Sequence, residues 1–133
     1  MLHVTAIVDE MMKNDLFSQW LAVVRLGEAP GSCKLKMTIR PEMCNGFGMA
    51  HGGIVFSLAD SALAFASNSH GRQAVSIENS ISYINFLYAG DKIIATATEK
   101  SLHNKIARYD VTIEKETGEL IAIFRGTVYI KSK

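Results

Sequence analysis

One stretch of this sequence, residues 45–69, constrains the fold more than any other. It begins as a glycine-rich loop and continues as a helix that the pattern predicts from about Gly53 to Ser69. Apolar side chains point nearly all the way round this helix, among them Ile54, Val55, Phe56, Leu58, Leu63 and Phe65. A helix that is apolar on every side is buried rather than laid on a surface. We therefore expect the rest of the chain to enclose it.

A carboxylate, Asp60, stands in the middle of the predicted helix. Burying an unpaired carboxylate costs free energy, so a chain rarely keeps one there without a use. Residues three and four positions apart form a narrow polar stripe along one line of the helix, which comprises Ser57, Asp60, Ser61, Ala64 and Asn68. Asp60 is therefore a candidate for chemistry, and the alternative is a structural carboxylate satisfied by the backbone or by Asn68.

The start of the same helix is a candidate oxyanion site. Gly52 and Gly53 have no side chain that blocks approach to their N–H groups, and the first N–H groups of a helix lack internal partners and carry partial positive charge. Such donors stabilise a carbonyl oxygen that becomes an oxyanion. Asp60 lies roughly 10 Å further along the axis, at about 1.5 Å per residue. If both ends serve one reaction, we expect them to come from different subunits.

The spacing of these residues resembles the active-site segment of PaaI-type hotdog-fold thioesterases. Asn45 is followed six residues later by His51-Gly52-Gly53, and Asp60 comes nine residues after the His. The resemblance extends to Tyr129 and so covers most of the chain. It implies an α+β hotdog fold, in which an antiparallel sheet wraps around one long buried helix. It also implies an acyl-CoA thioesterase that releases a carboxylate and free coenzyme A, with no metal and no separate cofactor, in homodimers that share sites and pair into tetramers.

The resemblance assigns roles to four catalytic residues. Asp60 is the catalytic carboxylate, acting either as a general base on water or as a nucleophile. Asn45 helps to hold the thioester carbonyl or the attacking water, and its alternative is an Asx-type turn before Gly46. His51 belongs with the Gly52 N–H at the thioester-binding end, and its alternative is a loop histidine that fixes the glycine turn.

Five further residues are predicted to bind substrate; they are Gly53, Phe56, Ser61, Ser76 and Tyr83. In some relatives a Ser at the position of Ser76 places the water, whereas the strand pattern alone predicts an outward, solvated Ser76. Phe47, Phe56, Tyr83 and Phe86 are candidates to line an acyl pocket, with core packing as the alternative. Many relatives carry Pro where this chain has Phe86, which affects the pocket shape. Arg72, Lys105 and Arg108 are candidates to contact coenzyme A phosphates.

The flanking patterns predict a mixed order of elements. A short helix is expected over residues 5–13, and residues 16–24 are ambiguous between helix and strand, with the first strand entered at about Trp20. Alternation predicts a strand over residues 33–39 and, after the long helix, strands over residues 74–86, 93–101, 106–115 and 120–130. Short turns between these four late strands predict an antiparallel meander.

The composition bounds the class of protein. The 133 residues predict a single domain, 1–133. A net charge of +1, without basic clustering, disfavours nucleic-acid binding. No apolar run reaches the roughly 18 residues needed to span a membrane. Cys33 and Cys44 show no metal-binding spacing, and reduced cytoplasmic thiols are expected, although a disulfide remains an alternative.

Two other functions compete with thioester hydrolysis. A hotdog dehydratase needs a His acting with an acidic residue, and one such family places its His where this chain has Phe65. A non-catalytic acyl-CoA sensor would have no need to keep Asp60. For the acyl group, the resemblance places phenylacetyl-CoA and its hydroxylated or ring-modified relatives first and medium-chain acyl-CoA second.

Overall fold

Six antiparallel strands form one sheet, and a long helix packs against one face of it. The computed structural model describes residues 3–132, and the predicted domain also includes Met1, Leu2 and Lys133, which lie outside the described residues. In chain order the elements are α1 (Val4–Asn14), α2 (Leu16–Leu21), β1 (Val24–Ala29), β2 (Ser32–Thr38), a 3₁₀ turn (Pro41–Met43), α3 (Gly52–Asn68), β3 (Ala74–Tyr83), β4 (Lys92–Leu102), β5 (Ile106–Lys115) and β6 (Leu120–Ile130). The predicted α+β architecture, a sheet around one long buried helix, is confirmed.

Helix α3 forms where its pattern predicts it, one residue earlier at each end. Its inner side chains are completely buried; they are Leu58, Ala59, Ala62, Leu63, Phe65 and Ala66. The small alanines bring the helix close to the sheet, and the larger residues fill the space between the two layers. This burial of apolar surface is the main favourable contribution to the fold, and it holds Asp60 at a fixed position beside the sheet.

The strand order, β1-β2-β4-β5-β6-β3, differs from the predicted meander. Strands β4, β5 and β6 do follow one another, but β3 pairs with β6 at the far edge instead of with β4. The connection from β3 to β4, residues 84–91, makes no hairpin because it is bonded to the loop before α3. The Ala50 N–H donates to the Leu87 carbonyl at 2.8 Å, and Met49 bridges to Tyr88.

The expected entry into the first strand at Trp20 is wrong, because residues 16–21 form the helix α2. Asp15 caps this helix by accepting the Ser18 N–H at 2.9 Å. At the other end, the Arg40 guanidinium donates to the carbonyls of Trp20, at 2.7 Å, and Leu21, at 3.3 Å. The contact with Arg40 is distant in sequence, so local patterns leave this segment ambiguous.

A β-bulge in β3 reverses the predicted direction of Ser76. The pairing register shifts between Ser76, which pairs with Val128, and Glu78, which pairs with Thr127. Because the bulge adds one residue, Ser76 and Asn79 lie on the same face of the sheet although they are three positions apart. Strict alternation from Asn79 backwards would place Ser76 on the outer face, whereas the bulge turns it toward α3.

Candidate active site

Asn45 organises the glycine loop that precedes α3. Its Oδ1 accepts the N–H of Phe47 at 2.9 Å and that of Met49 at 3.2 Å. This is the turn-forming arrangement considered as the alternative for Asn45. The amide nitrogen Nδ2 has no hydrogen-bond partner within residues 3–132. Asn45 therefore fixes the loop with one end of its side chain and keeps a donor available with the other.

His51 is the N-cap residue of α3. Its Nδ1 accepts the N–H of Gly53 at 2.9 Å, which places the proton of the neutral ring on Nε2. This hydrogen bond uses the Gly53 N–H, so the predicted substrate-binding residue Gly53 has no free N–H to offer a substrate. In the described part of the chain the Gly52 N–H has no acceptor. It is the helix-start donor that remains for a substrate oxygen.

Tyr83 lies directly over the start of α3. Its hydroxyl donates to the Gly52 carbonyl at 2.8 Å. A Cβ added to Gly52 would lie only 2.9 Å from the Tyr83 hydroxyl oxygen, so this close approach requires a glycine. Tyr83 thus holds the backbone of Gly52 in place from the edge strand β3.

An apolar cavity of about 230 Å³ opens at this end of the helix. Its lining includes Asn45, Gly52, Val55, Tyr83, Phe86 and Leu87. Tyr83 and Phe86 therefore lie where an acyl pocket was expected. Phe56 does not line this cavity: its ring packs edge-on against Phe124 with the centroids 5.2 Å apart. Phe47 is 85% exposed.

Asp60 is half-buried on the side of α3 that faces the edge strand β3. The Ser76 hydroxyl donates to its Oδ1 at 3.4 Å, and Asn79 Nδ2 donates to the same oxygen at 3.3 Å. Burial raises the pKa of the Asp60 carboxyl above its ordinary value, the two hydrogen bonds oppose this, and the negative charge of Asp15 adds to it. Ser76 therefore contacts the candidate carboxylate directly, as a water-placing residue would need to.

The two halves of the candidate site are separated within one chain. Asp60 comes eight positions after Gly52 in α3, which is roughly 12 Å along the axis at about 1.5 Å per residue. Asp60 is not part of the cavity lining beside Gly52. The donors at the helix start and the carboxylate cannot contact one small reacting group in a single chain.

The other polar residues of α3 make structural contacts rather than face a substrate. The predicted substrate-binding residue Ser61 is 8% exposed and shares a 2.8 Å hydrogen bond with Ser18 of α2, so its hydroxyl points into the protein. The Ser57 hydroxyl donates to the Gly53 carbonyl at 2.7 Å. Asn68 donates to the Ala74 carbonyl at 3.1 Å and accepts its N–H at 2.9 Å. Within the predicted polar stripe, Asp60 is the ionisable member.

Asn79 is a site residue that sequence reasoning did not select. Asn is uncommon inside strands, and this one lies in β3 opposite Gly126 of β6. The sequence shows both residues, as an Asn and a Gly within otherwise strand-like segments. It does not show that they are paired, because that depends on β3 joining β6.

The three basic residues considered for contacts with coenzyme A phosphates lie in different surroundings. The Arg72 guanidinium donates to the carbonyls of Asn104, at 3.2 Å, and Lys131, at 3.1 Å, so it joins loops of the protein. Arg108 lines an open groove on the outer face of the sheet together with Lys100. Lys105 lies over the Tyr129 ring, 5.9 Å from its centroid.

The described residues also bear on the expectations about metal binding, membrane spans and the two cysteines. Among residues 3–132, no three or more His, Cys, Asp or Glu side chains are grouped so that they could hold a metal ion. Of the described helices, none is long and apolar enough to cross a membrane. Cys33 and Cys44 are free thiols, and burial raises the pKa of Cys33 to about 12.

Comparisons with known proteins match this chain to one family. A family model described as the thioesterase superfamily matches residues 47–122. The chain is 43% identical over 126 residues to a protein of Archaeoglobus fulgidus that carries the name of an esterase, covering 95% of this chain and 82% of that one. It is 34% identical over 116 residues to acyl-coenzyme A thioesterase PaaI of Escherichia coli, covering 87% and 83%. The solved structure of the E. coli PaaI protein from the phenylacetic acid degradation operon superposes with a TM-score of 0.95 at 31% identity, covering 97% of this chain and 94% of that one.

Proposed function

Because this chain belongs to the thioesterase superfamily and is a PaaI-type thioester hydrolase, we propose that it hydrolyses aryl-acetyl-CoA thioesters. The products are the free aryl-acetic acid and coenzyme A, and the expected acyl groups are phenylacetyl and its hydroxylated relatives. The observation that carries this proposal is the apolar cavity of about 230 Å³ beside the Gly52 N–H. An apolar cavity of about 150 Å³ is enough to bind benzene, so this one has room for an aromatic ring and its methylene.

The groups around Gly52 suit the carbonyl of a thioester. The Gly52 N–H and Asn45 Nδ2 are two donors without described partners at the start of α3. In the proposed mechanism both donate to the carbonyl oxygen, and the positive end of the helix dipole adds to the stabilisation as that oxygen becomes an oxyanion. The acyl group then occupies the cavity, where Tyr83 and Phe86 contact its ring.

Asp60 is the residue that cleaves the thioester in the proposed mechanism, either as a general base or as a nucleophile. As a general base it takes a proton from water while the water oxygen bonds to the carbonyl carbon. The tetrahedral intermediate then collapses, the C–S bond breaks, and the coenzyme A thiolate leaves and is protonated. As a nucleophile, Asp60 instead attacks the carbonyl carbon, the C–S bond breaks as the coenzyme A thiolate leaves, and the resulting anhydride is hydrolysed by water to the free acid and the Asp60 carboxylate. Ser76, which donates to Asp60 Oδ1, is placed to position the water in either route.

We further propose that each site is shared between two chains across the β3 edge. Asp60 is hydrogen bonded to two residues of this edge strand, so it lies on the side of α3 nearest a partner at that edge. Large apolar side chains are exposed along the same edge and the segment after it: Ile77 57%, Tyr83 52%, Ile84 49% and Phe86 67%. Such a patch marks an interface, and pairing two β3 strands covers an otherwise open edge.

A two-fold axis at this edge runs the two α3 helices antiparallel. It brings Asp60 of one chain toward Gly52 of its partner and creates two equivalent sites. Two such dimers then associate into a tetramer. A cytoplasmic location is part of the same proposal and rests on the two free thiols.

A panel of acyl-CoA esters tests the substrate class by following thiol release. We expect the highest kcat/KM for phenylacetyl-CoA or 4-hydroxyphenylacetyl-CoA, with hexanoyl-, octanoyl- and decanoyl-CoA at least tenfold lower. The competing outcome is a medium-chain preference, which would reject the aryl-acetyl proposal while leaving the thioesterase class intact. A dehydratase is disfavoured because Phe65, at the position of that family's His, is completely buried in the core.

A further inference from the structure

The centre of the edge strand pairs an asparagine with a glycine on the neighbouring strand. Asn79 of β3 lies opposite Gly126 of β6, with both on the inner face of the sheet. Gly126 is followed and preceded by ordinary strand residues, and its backbone does not adopt the left-handed conformation that favours glycine. Its lack of a side chain therefore requires another reason.

That reason is the space taken by two side chains, Leu63 of α3, which is the nearer, and the amide of Asn79. A Cβ added to Gly126 would lie 2.8 Å from Asn79 Oδ1 and 2.6 Å from a methyl carbon of Leu63 on α3. Both separations are shorter than carbon contacts in proteins permit. The glycine thus leaves room for the Asn79 side chain to lie between β6 and α3.

The orientation of the amide follows from its neighbours. Nδ2 faces Asp60 and donates to Oδ1 at 3.3 Å; the reverse orientation would bring two acceptors together, because an ionised carboxylate only accepts. Oδ1 of Asn79 is then buried without a hydrogen-bond partner among the residues that the structure describes. A buried acceptor without a partner costs free energy. An apolar residue of similar shape would avoid that cost, so the useful end of Asn79 is its nitrogen.

The donors around Asp60 act on one of its two oxygens. Ser76 and Asn79 both donate to Oδ1, and Oδ2 has no hydrogen-bond partner within residues 3–132. The negative charge of Asp15, the N-cap residue of α2, disfavours ionisation of Asp60. The two hydrogen bonds to Oδ1 therefore favour the ionised carboxylate, whereas burial and the negative charge of Asp15 disfavour it. Oδ2 stays available for reaction.

We propose that Asn79 is a positioning residue that fixes Asp60 by its hydrogen bond to Oδ1, in the space left by Gly126, and so keeps the carboxylate ionised and Oδ2 presented to the substrate. This inference rests on the proposed catalytic role of Asp60. Asn79 acts through Asp60 and does not itself contact the reacting atoms.

The pH profile of hydrolysis tests this role. Hydrogen bonds to an ionised carboxylate lower its pKa, and burial has already raised the pKa of Asp60. Asn79→Leu removes the donor and replaces it with an apolar side chain of similar size. We expect the acid limb of kcat/KM to move upward by about one pH unit, so that activity on the limb falls about tenfold and recovers toward the wild-type plateau at alkaline pH.

Two companion variants sharpen the test. Asn79→Asp keeps the shape but places a second carboxyl beside Asp60, so its acid limb should move further upward than that of Asn79→Leu. Ser80→Ala, at the neighbouring exposed position of β3, is the matched control and should keep the wild-type limb. We also expect Asn79→Leu to unfold at the same temperature as wild type or higher, since it removes the unpaired acceptor.

The outcomes separate this inference from the proposed function. If Asp60→Asn is inactive but folded Asn79→Leu keeps the wild-type acid limb, the positioning role is wrong and the catalytic role of Asp60 stands. If Asp60→Asn retains wild-type hydrolysis, the catalytic role of Asp60 fails and the inference about Asn79 fails with it. Should Asn79→Leu not fold, Asn79→Ala is judged by the same acid limb.

Discussion

His51 caps the helix that begins with the next residue, because its Nδ1 accepts the N–H of Gly53 at 2.9 Å. The hydrogen bond takes one of the first N–H groups of α3 and leaves that of Gly52 beside the cavity. A histidine in this position therefore selects which backbone donor can meet the substrate. Its contribution to catalysis, in this interpretation, is the geometry of the helix start and not the transfer of a proton.

Substituting His51 with Asn distinguishes the two roles. Asn is one of the strongest N-cap residues, whereas Ala lacks an acceptor, and losing a cap costs about 1 kcal/mol. We expect His51→Asn to keep the wild-type stability and most of the activity, and His51→Ala to lose about 1 kcal/mol in the free energy of unfolding. A folded and stable His51→Asn without hydrolysis would instead assign proton transfer to His51.

Asn45 offers a matched pair of variants because its two ends do different things. Asn45→Asp keeps the oxygen that accepts the N–H groups of Phe47 and Met49, but it loses the Nδ2 donor. Loss of one oxyanion donor costs about 2.7–4 kcal/mol in the transition state, so kcat should fall by a factor of about 100 or more in Asn45→Asp and in Asn45→Ala. Thermal unfolding should separate the variants, since Asn45→Ala alone loosens the loop.

If Asn45→Asp retains wild-type kcat/KM with phenylacetyl-CoA, then Nδ2 is not an oxyanion donor and Asn45 serves the turn alone. The stability measurement keeps this conclusion independent of folding defects. A variant that is as stable as wild type has an intact loop, so its activity reports on the donor.

Features of the fold that depend on residues near one another in the sequence were predicted, and features that depend on contacts between distant segments were not. Helix α3 was predicted to within one residue at each end because its apolar pattern and its glycine start are both contained in residues 45–69. The direction of Ser76 was missed because the bulge at residue 77 depends on pairing with β6. Residues 16–24 stayed ambiguous between helix and strand because the last carbonyls of α2 are satisfied by Arg40, which is distant in sequence. Asn79 escaped selection for the same reason as Ser76: its partner Gly126 adjoins it only in the folded sheet.

Removing the charge of Asp60 should abolish hydrolysis without weakening the fold. Loss of a general base lowers the rate by a factor of about 100 or more, and Asp60→Asn keeps the size of the side chain. Burial raises the pKa of the Asp60 carboxyl, so the folded state holds this proton more tightly than the unfolded state. The stability that Asp60 contributes is therefore present below the unfolded pKa and is lost as the pH rises through the folded pKa.

Above the folded pKa of Asp60 that contribution is absent, so in that pH range Asp60→Asn should unfold at the same temperature as wild type or higher. The difference between the two proteins should shrink as the pH falls below the ordinary range of an Asp. The measurement is thermal unfolding of both proteins across acidic to neutral pH, alongside kcat/KM. Near wild-type turnover by folded Asp60→Asn would contradict the proposed mechanism. A large loss of stability at pH 7 would mean that the carboxylate has a structural role.

Complementation between two inactive chains tests whether the site is shared. Asp60→Asn removes the carboxylate, and Asn45→Asp removes a donor at the helix start; Gly52 is less suitable because any Cβ there meets the Tyr83 hydroxyl oxygen at 2.9 Å. Differently tagged variants are mixed, partly unfolded and refolded, and the mixed dimers are purified through both tags. In a mixed dimer with shared sites, one site carries both lesions and the other carries neither. We therefore expect about half of the wild-type activity per mixed dimer, whereas each variant refolded alone should remain inactive. Mixed dimers that form and show no activity would place each complete site within one chain, which the separation of Gly52 and Asp60 along α3 argues against.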